Sequence, residues 1–231
     1  MRVRLATTAL GISAVLLAMP ACSTTAPEAR PQATASTHPG QPGGTVHQPV
    51  VLSSAALEPR LLDEDDLGSG YLRKPEQDTR HGDATVSGCP ALSKLGGDAA
   101  TGGTLAFPHK ATTSFVSGDN SSELSEELYS DSADQLSDGI ARIFDAMTGC
   151  PTYQVVVGST RMDVTSQKLP APTTVGDERW SQLMTISAGG QSTVVKQTAI
   201  RDGSLLLVVS GSPALVDQHL GTALARATAV N

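Results

Sequence analysis

Three β-rich runs near the C-terminus constrain the fold of this chain more than any other feature: "RWSQLMTIS", "STVVKQTAIR" and "SLLLVVSG". They are joined by "AGGQ" and "RDG", which predicts adjacent antiparallel strands linked by hairpins. Asp202-Gly203 between two apolar runs predicts a turn in which both central residues take positive φ. Ser212 is then placed to cap a final helix with Pro213 at its first position. Val216, Leu220, Ala223, Leu224 and Ala227 line one face of that helix.

The region upstream adds a second helix and more strands. In "SADQLSDGIARIFDAMTGC", Leu136, Ile140, Ile143, Phe144 and Met147 recur at helical spacing. Asp131 or Ser132 can cap its start and Gly149 ends it, with Asp134, Asp138 and Asp145 facing water. Strands are expected at Thr112 to Ser117 and Glu123 to Tyr129, joined by "GDNSS", and again at "TYQVVVG" and "RMDVTSQKL". A short helical turn is expected from Pro59 to Asp66, breaking at Gly68 and Gly70. Gly82 to Gly103 reads as loop. Hairpins with helices inserted between and after them predict an α+β domain, an antiparallel sheet packed against about two helices.

The first fifty residues are of another kind. Residues 1–21, "MRVRLATTALGISAVLLAMPA", have a positive start, an apolar run and small Ala21, the parts of an export signal. The end of that segment resembles a bacterial lipobox, with Met19 where leucine is usual, and implies cleavage before Cys22 and attachment of diacylglycerol to it. Plain secretion with Cys22 a free thiol is the alternative. Residues 22–50 are rich in Pro, Gly, Ser and Thr without an aromatic, and are expected to be a disordered tether. The folded domain is expected over 51–231, on the extracytoplasmic face of a cell membrane. With Cys22 used as the anchor, an oxidising compartment leaves Cys89 and Cys150 to form one disulfide. A catalytic or metal-binding thiol is the competing reading, and neither cysteine lies in a C-x-x-C pair.

Chemistry is sparse. The net charge of -7 gives no basic surplus for nucleic acid. The chain has no G-x-S-x-G, S-x-x-K, H-E-x-x-H, Walker or dinucleotide motif, so no enzymatic reaction, cofactor or metal is expected. Asp63 to Asp66 lacks the spacing of a calcium loop and reads as a solvated helix face. The carboxylates of "SELSEEL" read as solvated edge-strand charges. His219 reads as a partly exposed structural histidine beside the apolar face of the last helix. In "VGDERW", Arg179 and Trp180 are the candidate ligand contacts, against the plainer reading of a turn opening a strand with Trp180 in the core.

The order of "LLDEDDLGSGY", "GCPAL", a helix ending in "TGCP", "VGDE" and "IRDGSLLLVVSG" before a terminal Ala-rich helix resembles the PknH-like extracellular sensor domain family, over roughly residues 55–230. The resemblance implies a twisted antiparallel sheet packed with two helices around a cleft, and a binding or sensor module for an undefined envelope ligand. Cys89 and Cys150 match cysteines of the family, and the second disulfide of its kinase-linked members has no counterpart here. An envelope protein-interaction module without a small ligand and an unrecognised secreted hydrolase are the other two classes.

Overall fold

The computed structural model describes residues 50–75, 84–96 and 107–229. The signal segment, the tether up to residue 49 with Cys22, and His81 lie outside the described residues. The chain opens with α1 (Ser54–Leu57), a 3-10 turn (Glu58–Arg60) and α2 (Glu64–Leu67). Next come β1 (Tyr71–Arg73), β2 (Ala84–Ser87), α3 (Pro90–Leu95), β3 (His109–Ser117) and β4 (Glu123–Ser130). The long helix α4 (Ala133–Gly149) is followed by β5 (Thr152–Val157), β6 (Thr160–Lys168) and β7 (Glu178–Ala188). β8 (Gln191–Asp202), β9 (Leu205–Gly211) and α5 (Pro213–Ala227) complete the domain. All described strands join one antiparallel sheet in the order β1-β3-β4-β9-β8-β7-β6-β5-β2. The α+β architecture read from the sequence is the observed one.

Alternation along the strands sends two sets of apolar side chains to opposite faces. On one face Ala111, Phe115, Leu124, Leu128, Leu207 and Val209 pack against Val216, Ala223 and Ala227 of α5. The segment from Leu52 to Leu67, called the strap below, crosses the same face and buries Leu57, Leu61, Leu62 and Leu67 there. On the other face Leu136, Ile140 and Phe144 of α4 cover Tyr129, Ala199, Leu206 and Val208. The last turns of α4 reach Val155, Val164 and Met184, with Val86 and Leu92 alongside. Each fully buried leucine of these clusters contributes roughly 1.5–3 kcal/mol. Cys89 and Cys150 form the expected disulfide, Cα to Cα 5.6 Å, fastening the start of α3 to the end of α4. Among the described residues no helix is long and apolar enough to cross a membrane.

Several local expectations need correction. Gly82 to Gly103 is not all loop: β2 pairs with β5 through Val86 and Val155, and Pro90 starts α3. A four-residue strand with one buried side chain is too short for its alternation to show in sequence. The β8–β9 turn has Gly203 and Ser204 at its centre, because Asp202 still pairs with Leu205. Gly203 alone of the Asp-Gly pair has positive φ, 56°. Ser212 begins α5 without capping it, since its hydroxyl accepts the Glu123 N–H at 3.3 Å instead. His219 is fully interior at 4% exposure, against the partly exposed position expected. Of the Asp63 to Asp66 run, Glu64 and Asp65 are exposed as expected, while Asp63 and Asp66 make a reciprocal cap on α2 and both accept from Arg226, at 2.8 and 2.7 Å. "SELSEEL" is no edge strand, because β4 lies between β3 and β9.

Candidate functional site

The candidate residues Arg179 and Trp180 are neighbours on β7, so the pleat sends them to opposite faces. Trp180 sits half-buried on the α4 side, its ring 6.4 Å from that of Phe144. Arg179 donates to the carbonyls of Thr173 and Val175 at 3.0 and 3.1 Å, and holds the loop before β7. The structure thus does not bring the two together, and it gives each a packing role. The acidic pair beside them is equally engaged. Arg201, whose side chain is 10% exposed, donates to Asp177 and Glu178 at 2.9 and 3.1 Å. The Gly203 N–H, first, and Arg201 hold the Asp177 carboxyl below the usual carboxylate range, and Arg201 does the same for Glu178. "VGDE" is therefore a clamp between the start of β7 and the β8–β9 turn.

A different group of residues is gathered where α4 stops covering the sheet. On the α4 face, register aligns Ser114, Ser125, Ser210, Gln197 and Gln182 in one row across β3, β4, β9, β8 and β7. The next row carries Thr112 and Glu127 before it turns apolar at Val208, Ala199 and Trp180. Lys110 and Tyr129 are paired in the row beyond. α4 packs on the β6 to β9 end of these rows. Lys110, Thr112, Ser114, Ser125, Glu127 and Ser210 are each half-buried, forming a polar band along its flank.

The band has an internal order that would hold its groups in place. The hydroxyls of Ser114 and Ser125 lie 2.8 Å apart, and Tyr129 donates its phenolic hydrogen to Glu127 Oε2 at 2.5 Å. Burial raises the Glu127 carboxyl above its ordinary value, against the lowering effect of the Tyr129 hydroxyl and the Lys110 charge. At the interior end, Gln182 donates to Gln197 Oε1 at 2.8 Å and to Met147 Sδ at 3.3 Å, and accepts from Ser166 at 3.2 Å. At the open end, Lys110 and Thr112 also line a cavity of about 270 Å³ with Glu58, Leu61, Arg73 and Ala111. The band thus holds both donors and acceptors, and Lys110, Thr112 and Tyr129 already make interactions within the chain.

Sequence reasoning missed this band, although a signal for it existed. In "KATTSFVS" and "ELSEELYS", Ala111 and Phe115, and Leu124 and Leu128, fall at even spacing on one face, with Thr112, Ser114, Ser125 and Glu127 at the intervening odd steps. Taking β4 for an edge strand hid the fact that the polar set faces a helix flank. Among the described residues, no three His, Cys, Asp or Glu side chains are grouped so as to hold a metal ion.

No family model matches the chain, and no curated protein matches it. Among solved structures it is similar to the extracellular domain of PknH from Mycobacterium tuberculosis, with a TM-score of 0.57 at 15% identity over 77% of this chain and 95% of that one. A putative uncharacterized protein from Mycobacterium smegmatis aligns with a TM-score of 0.37 at 10% identity, over 70% of this chain and 91% of that one. At these identities the first likeness speaks for the fold alone: the chain shares, distantly, the fold of the PknH extracellular sensor domain.

Proposed function

We propose that this chain is a non-enzymatic binding or sensor module, held on the extracytoplasmic face of a bacterial membrane by a lipid on Cys22. Residues 1–21 are its export signal, 22–50 its tether and 51–231 its ligand-binding domain. The observation that carries the reading is the half-buried polar band of Lys110, Thr112, Ser114, Ser125, Glu127 and Ser210 beside α4. Support comes from the shared fold with a domain that is extracellular in its own protein. Hydroxyl and carboxyl groups on a rigid sheet suit a polar ligand rich in hydroxyls or amides.

The test compares native and denatured mass spectra of the protein purified from its own host's envelope. A small molecule of defined mass should leave the wild-type protein on denaturation. The Ser125→Leu variant breaks the hydroxyl pair and fills the band, and should retain that molecule roughly tenfold less or not at all. Its stability should change by less than about 1 kcal/mol, because Ser125 is half-exposed. A protein that is empty in both forms would sink the ligand reading and favour a protein partner.

The anchor is tested separately. Wild-type protein should partition into the detergent phase, and Cys22→Ser should move it to the aqueous phase. The hydrophobic gain lost is roughly 0.8 kcal/mol per buried methylene of the lipid. Equal aqueous partition of the two proteins would eliminate lipidation at Cys22.

A further inference from the structure

The strap is fastened by polar contacts at both ends and in the middle. The Leu52 N–H donates to Ser130 Oγ at 2.8 Å, and Ser54 Oγ accepts the Lys110 N–H at 3.0 Å. Arg60 donates to the Ala227 carbonyl at 2.8 Å, and Arg226 bridges Asp63 and Asp66. Between these, the Leu62 N–H donates to Glu126 Oε2 at 2.7 Å. Glu126 is only 1% exposed, on the face covered by α5 and the strap.

The other carboxyl oxygen is the unusual one. Glu126 Oε1 is buried and has no hydrogen-bond partner. Thr113, the residue directly opposite on β3, has a buried hydroxyl oxygen that also lacks one. A proton on Oε1 would remove the charge from that buried oxygen while Oε2 keeps the Leu62 N–H. Without that proton the site holds a carboxylate with one desolvated oxygen.

Little nearby charge offsets this. From α5, Arg226 faces Glu126 but is already shared between Asp63 and Asp66, and His219 is buried on the same helix. From the strap, Asp66 adds a like charge. From β1, Arg73 is committed to the Leu62 carbonyl at 3.2 Å and to the Phe115 ring at 5.5 Å.

We propose that Glu126 is a proton-binding site beneath the strap, and that losing the proton loosens the strap from the sheet. The inference is independent of the ligand reading. Burial, the leading cause, pushes the Glu126 carboxyl up to about 7, with the Leu62 N–H and Arg226 opposing it. The sign follows: the folded state holds the proton more tightly than the unfolded chain. Its contribution to stability is therefore complete at acid pH, falls as pH rises toward 7, and is gone above it.

Hydrogen exchange on the 231-residue chain tests this, with strap amides from Leu57 to Leu67 read at about pH 5.5 and about pH 8 after correction for intrinsic rates. In the wild type their protection should fall roughly tenfold or more between the two conditions. In Glu126→Gln the neutral amide can accept from the Leu62 N–H at either pH, so protection should stay level. Wild-type protection that is level too, or that falls equally in both proteins, would overturn the proposal. As a second readout, the carboxyl carbon of Glu126 should titrate near neutrality by NMR. A midpoint in the ordinary carboxylate range would equally refute it.

Discussion

Replacing Cys89 and Cys150 together by serine should lower the stability of the domain by about 4 kcal/mol and its Tm by roughly 8–16 °C. The magnitude comes from the loop the bridge closes, a sequence separation of 61 residues that contains β3, β4 and α4. Freeing that loop enlarges the unfolded ensemble, and the native sheet need not change. A second contribution is local. Cys89 is 1% exposed among Val86, Leu92, Ala146 and Met147, where a serine hydroxyl would be desolvated. Among the described residues β2 has only β5 as a partner, so the bridge also holds one outermost strand of the sheet. Thermal and urea unfolding of wild type and double variant measure the effect. If Tm hardly moves and only the amides of residues 84–95 exchange faster, the bridge pins one end of the sheet without stabilising the whole.

The parts of this fold that were legible share one property: their apolar residues repeat for long enough to show a period. α4 has five apolar residues on one face, and four of them, Leu136, Ile140, Phe144 and Met147, are buried. β7, β8 and β9 are long strands with short turns, and their order in the sheet is their order in sequence. Where the reading failed, a contact distant in sequence had overruled a local pattern. Glu126 looks like a surface charge until β9 closes over one edge of β4 and the strap over one face. Asp63 and Asp66 look solvated until Arg226, some 160 residues later, arrives between them. His219 falls within the buried stripe of α5 because that stripe is centred on Val216, Ala223 and Ala227, with Leu220 and Leu224 at its margin. The polar band was the hardest part to see. Its members are ordinary serines, a threonine, a lysine and a glutamate, and only the register of β3, β4 and β9 puts them side by side.

Gly211→Ala should cost roughly 3 kcal/mol or leave the chain unable to fold, the largest effect expected of any single methyl group in this structure. Gly211 ends β9 with φ at 143°, in the region that disfavours a side chain. A Cβ there would lie 2.1 Å from the Glu123 carbonyl oxygen and 2.9 Å from Leu124 Cα. Both are backbone atoms of a strand flanked on both sides, so no side-chain rotation can relieve the overlap. The carbonyl in question also accepts the Ser212 N–H at 2.8 Å, the bond from which α5 departs. Pushing β4 and β9 apart at this point therefore breaks the entry of the helix that covers the strap side of the core. Gly149, at the end of α4, is the control: a Cβ there meets nothing within 4 Å, and its φ is not positive. Gly149→Ala should leave the urea midpoint almost unchanged, while Gly211→Ala should lower it sharply or abolish the transition. Equal midpoints for the two variants would mean that β4 and β9 can separate at little cost. The α5 face of the sheet would then be softer than its packing indicates.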